Sequence, residues 1–128
     1  MKDFAVFVFG KEGCDKCKLL NRRLDKILEK PEWTGFEKRY FDLTTVDGLV
    51  NFAEAESLHP QRLPSILVCR NRSDGTTERI RQRFTEGYDA DGVYRVPGYV
   101  GIETDYSNAG VITPEDIEKV FREAVTAA

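Results

Sequence analysis

A six-residue apolar run, Phe4-Ala-Val-Phe-Val-Phe9, is cut off by Gly10-Lys11-Glu12-Gly13 and followed at once by helical periodicity. No other feature constrains the fold as much. An unbroken apolar run rich in valine and phenylalanine predicts a central strand buried on both faces. Leu20, Leu24, Ile27 and Leu28 then lie on one side of a helix over Cys17–Glu29. That helix must stop by Lys30, because Pro31 disfavours helical geometry before it. Phe36–Leu43 is the next strand, so strand and helix alternate. Alternation favours parallel pairing through right-handed crossovers.

The rest of the chain extends this order. Thr44 or Thr45 can cap a second helix, with Asp47 in its first turn. Leu49, Val50, Phe52, Ala53 and Ala55 are expected on its buried side, and His59-Pro60 closes it. Ser65–Cys69 is a third strand, entered through Leu63-Pro64. Ser73-Asp74-Gly75 signals a turn. Thr76–Phe84 alternates as a fourth strand antiparallel to the third, with Arg79, Arg81 and Arg83 on one face. Thr113, Pro114 and Asp116 open a last helix whose stripe is Ile117, Val120, Phe121 and Ala124. The expected fold is α/β, a mixed four-stranded sheet in the order β-α-β-α-β-β-α flanked by helices, with residues 1–128 as one domain. Residues 85–112 are too long for an ordinary connection and carry four of the five tyrosines. They are expected either to line a groove as an extra hairpin or to cover the sheet.

Composition narrows the function. The chain has 128 residues, 41% of them apolar and 32% charged, which reads as soluble and globular. A net charge of −3 argues against nucleic acid as a partner. The apolar run at Phe4 is too short to cross a membrane and lacks the flanks of a leader. A cytoplasmic, unprocessed chain without membrane partners is expected. Three cysteines do not make a secreted disulfide framework.

Two of them form the pair Cys14-Asp15-Lys16-Cys17, where a strand hands over to a helix. A helix N-terminus offers partial positive charge and free N–H groups, which favour a thiolate at Cys14. Lys11, Lys16 and Lys18 add to this, and Asp15 opposes it. Cys17 lies one turn deeper on the same face. It can attack a mixed disulfide formed at Cys14 and leave a closed Cys14–Cys17 disulfide. The spacing also fits half of a zinc or iron–sulfur site, which two chains could complete by sharing their pairs. A third alternative is a redox-inactive binding module.

With the pair after the first strand, Leu63-Pro64-Ser65-Ile-Leu-Val before and in the third, and this element order, the chain resembles the thioredoxin superfamily. The resemblance covers most of residues 4–84 and the last helix. It implies a thiol–disulfide oxidoreductase that reduces protein or glutathione-mixed disulfides, with Cys14 and Cys17 as the catalytic thiols. It implies a cis bond before Pro64, packing of that proline beside the pair, and substrate pairing by the backbone of Leu63. Lys11 is similar to the glutaredoxin lysine that binds a glutathione carboxylate. Gly13 and Asp15-Lys16 depart from the thioredoxin pattern Trp-Cys-Gly-Pro-Cys, so the chain reads as a divergent redoxin of either branch. No bound cofactor is expected. Glutathione is a candidate co-substrate, and either glutathione or a reductase a candidate electron donor.

Other residues have plainer readings. Cys69 is expected as a small core residue. His59 is expected to be structural or exposed, and Trp33 to cover the end of the first helix. The strand arginines are expected on a solvated face that discourages edge pairing. Asp89-Ala-Asp-Gly92 is expected to be a turn, since the other ligands of a calcium loop are missing.

Overall fold

A computed structural model of the chain describes residues 2–55, 58, 60–81, 93–96, 98–104, 106 and 112–127. The elements are β1 Phe4–Gly10, α1 Asp15–Leu28, β2 Phe36–Asp42, α2 Val46–Ala55, β3 Ser65–Asn71, β4 Thr77–Arg79, β5 Val93–Arg95, β6 Gly101–Thr104 and α3 Pro114–Ala127. Single 3-10 turns occupy Pro31–Trp33 and Pro60–Arg62.

β1 lies inside the sheet, parallel to β2 and antiparallel to β3. Its alternation sorts the core. Val6 and Val8 face α1 and α3, where they meet Leu20, Leu24, Ile117, Val120 and Phe121. Phe7 and Phe9 face α2, where they meet Phe52 and Ala55. This strand has no solvent face, which is why its sequence does not alternate with polar residues. Aromatic stacking closes both layers. Phe36 stacks on Phe121 with ring centres 4.4 Å apart, and Phe9 stacks on Phe41 at 5.4 Å. Trp33 sits edge-on to Phe36 and Phe121, and its indole N–H reaches Glu118 at 3.2 Å.

Among the described residues the sheet has six strands rather than the expected four, in the order β2-β1-β3-β6-β5, with β4 also on β3. The segment after β4 supplies the extra two. β6 pairs with the first half of β3, Ser65 to Leu67, and β4 with the second half, Cys69 to Asn71. One edge of β3 is therefore shared. The fourth strand is shorter than expected. Ile80 is buried, and Arg81 makes a lone bridge to Tyr99. Residues 82–84, His59, Tyr88 and the 89–92 turn lie outside the described residues.

α2 corrects another expectation. Gly48, Phe52 and Ala55 face inward, while Val46, Leu49 and Val50 stay 82%, 55% and 49% exposed. Ala53 is also exposed. Gly48 sets the rotation: a Cβ there would sit 1.9 Å from the Asp42 carbonyl oxygen, so only glycine lets the helix rest on the end of β2. Thr45 is the cap, accepting the Gly48 N–H at 3.0 Å. α3 begins as expected. The Asp116 N–H donates to Thr113 Oγ1, and the Thr113 N–H returns to the Asp116 carboxylate, both at 3.1 Å. Among the described residues, no helix is long and apolar enough to cross a membrane.

Candidate active site

Cys14 is the N-cap of α1, whose first residue, Asp15, comes two residues before the start at Cys17 that helical periodicity alone gives. Gly13 turns the chain with φ +78°, a conformation other residues adopt only with strain. Cys14 then takes extended geometry, and its sulfur accepts the backbone N–H of Cys17 at 3.2 Å. Sulfur thus fills the role that a serine or aspartate oxygen usually has at a helix start. Cys14 is partly exposed, whereas Cys17 is 2% exposed.

The two thiols therefore differ. Burial, and then the hydrogen bond to Cys14, push the Cys17 thiol up to about 12. The Lys11 backbone N–H, which reaches Cys17, and the Lys11 charge oppose this. Cys17 keeps its proton while Cys14 faces solvent.

Two residues that sequence reasoning did not single out complete the wall. Gly10, the last residue of β1, lets the Cys17 sulfur and the Tyr40 hydroxyl close in. A Cβ at Gly10 would lie 3.1 Å from the one and 2.7 Å from the other. Burial, followed by the charges of Cys17, Asp42 and Cys14, pushes Tyr40 up to about 12. Asp42 braces the β1–α1 loop. Its carboxylate accepts the Thr44 N–H at 2.8 Å and hydroxyl at 2.6 Å, and also the Glu12 N–H. These contacts, led by the Thr44 hydroxyl, hold Asp42 below the usual carboxylate range.

The Leu63–Pro64 bond is cis, and both residues are buried. The segment between β4 and α3 reaches this loop. Thr104 Oγ1 donates to the Pro64 carbonyl at 2.7 Å, and the Tyr106 hydroxyl donates to the Leu63 carbonyl. Tyr106 also touches the dithiol electrostatically: its pKa is raised by burial first and then by the charges of Cys14 and Cys17. Lys16 lies over the Tyr106 ring at 4.6 Å. Tyr106 thus ties the cysteine turn to the proline loop. The segment adds a β5–β6 hairpin to the edge of the sheet rather than covering it, and Tyr106 reaches the proline loop.

Of the residues singled out from sequence, Cys14, Cys17, Lys11, Leu63 and Pro64 gather at one end of the sheet. Lys11 has an exposed side chain, and its backbone is what touches Cys17. Cys69 lies apart, buried in the α2-side core, where desolvation pushes its thiol up to about 12. Arg79 is not a freely solvated residue. It donates to the Ala55 carbonyl at 2.8 Å and stacks over Tyr99 at 4.2 Å. Among the described residues, no cluster of three or more His, Cys, Asp or Glu could hold a metal ion.

No protein-family model matches the chain. No curated protein matches it either. Among solved structures, it is similar to oxidised mitochondrial thioredoxin 3 from Saccharomyces cerevisiae, at 17% identity and a TM-score of 0.41. That match covers 60% of this chain and 63% of the other, under two thirds of its length. The chain's own topology carries the assignment: strand order β2-β1-β3 from one edge inward, β2 parallel and β3 antiparallel to β1, a Cys-x-x-Cys turn opening α1, and a cis-proline opening β3. The fold is thioredoxin-like.

Proposed function

We propose that the protein is a thiol–disulfide oxidoreductase in which Cys14 is the nucleophile and Cys17 the resolving thiol. The observation that carries this is the asymmetry of the pair. Cys14 is partly exposed at a helix N-terminus and accepts an N–H, while Cys17 is buried and holds its proton. Thiolate nucleophiles work in such electropositive, accessible positions.

The exchange runs in two steps. The Cys14 thiolate attacks a substrate disulfide R–S–S–R′. A Cys14–S–S–R bond forms, and R′S⁻ leaves and takes up a proton. Cys17 then loses its proton and attacks the Cys14 sulfur. The Cys14–Cys17 disulfide forms, RS⁻ leaves, and two electrons have passed to the substrate. An external dithiol or two glutathione molecules restore the pair. Pro64 shapes the wall beside Cys14. Lys11 offers a cation to a carboxylate such as one of glutathione.

The test is the equilibrium of the pair against graded glutathione buffers, with free thiols read by alkylation and mass. A reversible two-electron transition between about −200 and −270 mV is expected, the range of reducing redoxins. A pair that forms no disulfide at any poise sinks the reading.

A further inference from the structure

The carbonyl of Leu63 already has a donor. Leu63 lies just before β3, and the Tyr106 hydroxyl that binds its carbonyl is close enough to Cys14 and Cys17 to feel their charge. The first described strand residue after the cis bond, Ser65, is paired on both sides, with Phe9 of β1 and Glu103 of β6. Thr104 takes the Pro64 carbonyl. Both carbonyls at the entrance to β3 are therefore engaged by hydroxyls from one short stretch, residues 104–106.

An extended polypeptide that brings a disulfide to Cys14 binds such a loop by adding its own backbone, amide to carbonyl. At Leu63 it meets the phenol first. A compact disulfide with no neighbouring amides has no use for that carbonyl and no conflict with Tyr106. The phenol ring is held in place from its face by Lys16. It is 47% exposed and so borders the solvent approach to the thiols.

We propose that Tyr106 is a specificity-determining residue: its hydroxyl occupies the Leu63 carbonyl and so biases Cys14 toward compact disulfides and against extended polypeptide chains. The inference rests on the reading of Cys14 as the nucleophile. It adds a substrate class to that reading, set by the segment between β4 and α3 rather than by the cysteine turn.

The experiment separates the two claims. In a Cys17→Ser background, Cys14 is converted to its mixed disulfide with 2-mercaptoethanol and equilibrated with a neutral cysteine-containing peptide. The peptide thiol displaces 2-mercaptoethanol: the Cys14–peptide S–S bond forms, the Cys14–mercaptoethanol bond breaks, and the thiol proton passes to mercaptoethanol. Mass spectrometry reads the exchange constant, and no turnover is required. Adding Tyr106→Phe keeps the ring and removes the donor. The constant is expected to rise about tenfold, the worth of one neutral hydrogen bond. The rise should vanish when the peptide amides flanking its cysteine are N-methylated. A constant within twofold of the parent overturns the proposal, because the carbonyl then accepts both donors through its two lone pairs. A rise that survives N-methylation also overturns it. If the exchange behaves as expected but the intact pair reduces no disulfide, the oxidoreductase reading fails and the gating by Tyr106 stands.

Discussion

The amide of Cys17 donates to the sulfur of Cys14 at 3.2 Å, so the two residues of the pair are joined through backbone and side chain before any bond forms between their sulfurs. The same bond is the N-cap of α1. Helix initiation and the placing of the Cys14 sulfur therefore share one contact.

Serine is among the best N-caps. Cys14→Ser is expected to keep the fold within about 0.5 kcal/mol of the parent and to abolish disulfide reduction. Cys14→Ala should cost about 1 kcal/mol through the lost cap. Cys17→Ser should instead accumulate a stable mixed disulfide at Cys14. Urea melts and trapping by mass check all three. Residual turnover in Cys14→Ser would reverse the assignment of roles.

The proton on Cys17 sets the pH dependence of the second step. Burial holds that thiol up near 12, so at neutral pH only the small thiolate fraction can attack. In the mixed disulfide Cys14 no longer accepts from it, but burial remains. Release of the second substrate half, RS⁻, is expected to accelerate close to tenfold per pH unit from pH 7 to 9, as the thiolate fraction grows. Single-turnover release from the Cys14 mixed disulfide is the measurement. A pH-independent rate would mean that an unseen base takes the proton.

Gly10→Ala should destabilise by about 1–2 kcal/mol, since the new Cβ lies 2.7 Å from the Tyr40 hydroxyl and 3.1 Å from the Cys17 sulfur. Tyr40→Phe removes the closer atom. The double variant is expected to recover part of the loss, a coupling visible in a double-mutant cycle. Strict additivity would place Tyr40 away from Gly10.

On α2, Gly48→Ala should cost on the order of 3 kcal/mol, because the Asp42 carbonyl 1.9 Å away belongs to the backbone and cannot swing aside. This runs against the usual gain of about 1 kcal/mol from replacing a helical glycine by alanine. Leu49→Ala, on the exposed face, should change stability by under about 1 kcal/mol. Thermal melts of the two variants test the rotation of the helix.

Cys69 predicts an alkaline loss of stability. Its folded thiol is raised from 9.0 to about 12 by burial, so the folded chain keeps a proton that the unfolded chain releases above pH 9. Where the unfolded state binds fewer protons, stability falls as pH rises. The contribution is intact below pH 9 and lost progressively towards pH 12. Under reducing conditions, Cys69→Ala should flatten that decline in urea midpoints between pH 8 and 11. An unchanged slope would assign the decline to Cys17 and Tyr40.

The parts legible in the sequence are those whose signal is local. β1 is a solid apolar run, α3 carries its own cap and stripe, and Cys14 and Cys17 sit at a junction that both neighbours announce. α2 was not legible because apolar residues occupy most sides of it. Periodicity could not choose between the Leu49 and Phe52 faces, and a backbone contact of Gly48 chose. β5 and β6 are three and four residues long, too short for alternation to stand out. Tyr40 and Tyr106 are ordinary strand and loop tyrosines by sequence. Only folding brings one against Gly10 and the other against Leu63.

The divided edge of β3 has a consequence for how the chain is made. Residues 65–67 form the half of the strand beside the thiols, yet their partners, 101–104, come much later in the chain. During synthesis the half paired to β4 can close early, while the half beside the cysteines waits with open amides and carbonyls. Late, long-range pairing of this kind slows folding and exposes strand edges to neighbouring chains. A nascent chain would therefore contain Cys14 and Cys17 well before it contains the strand that completes the sheet beside them.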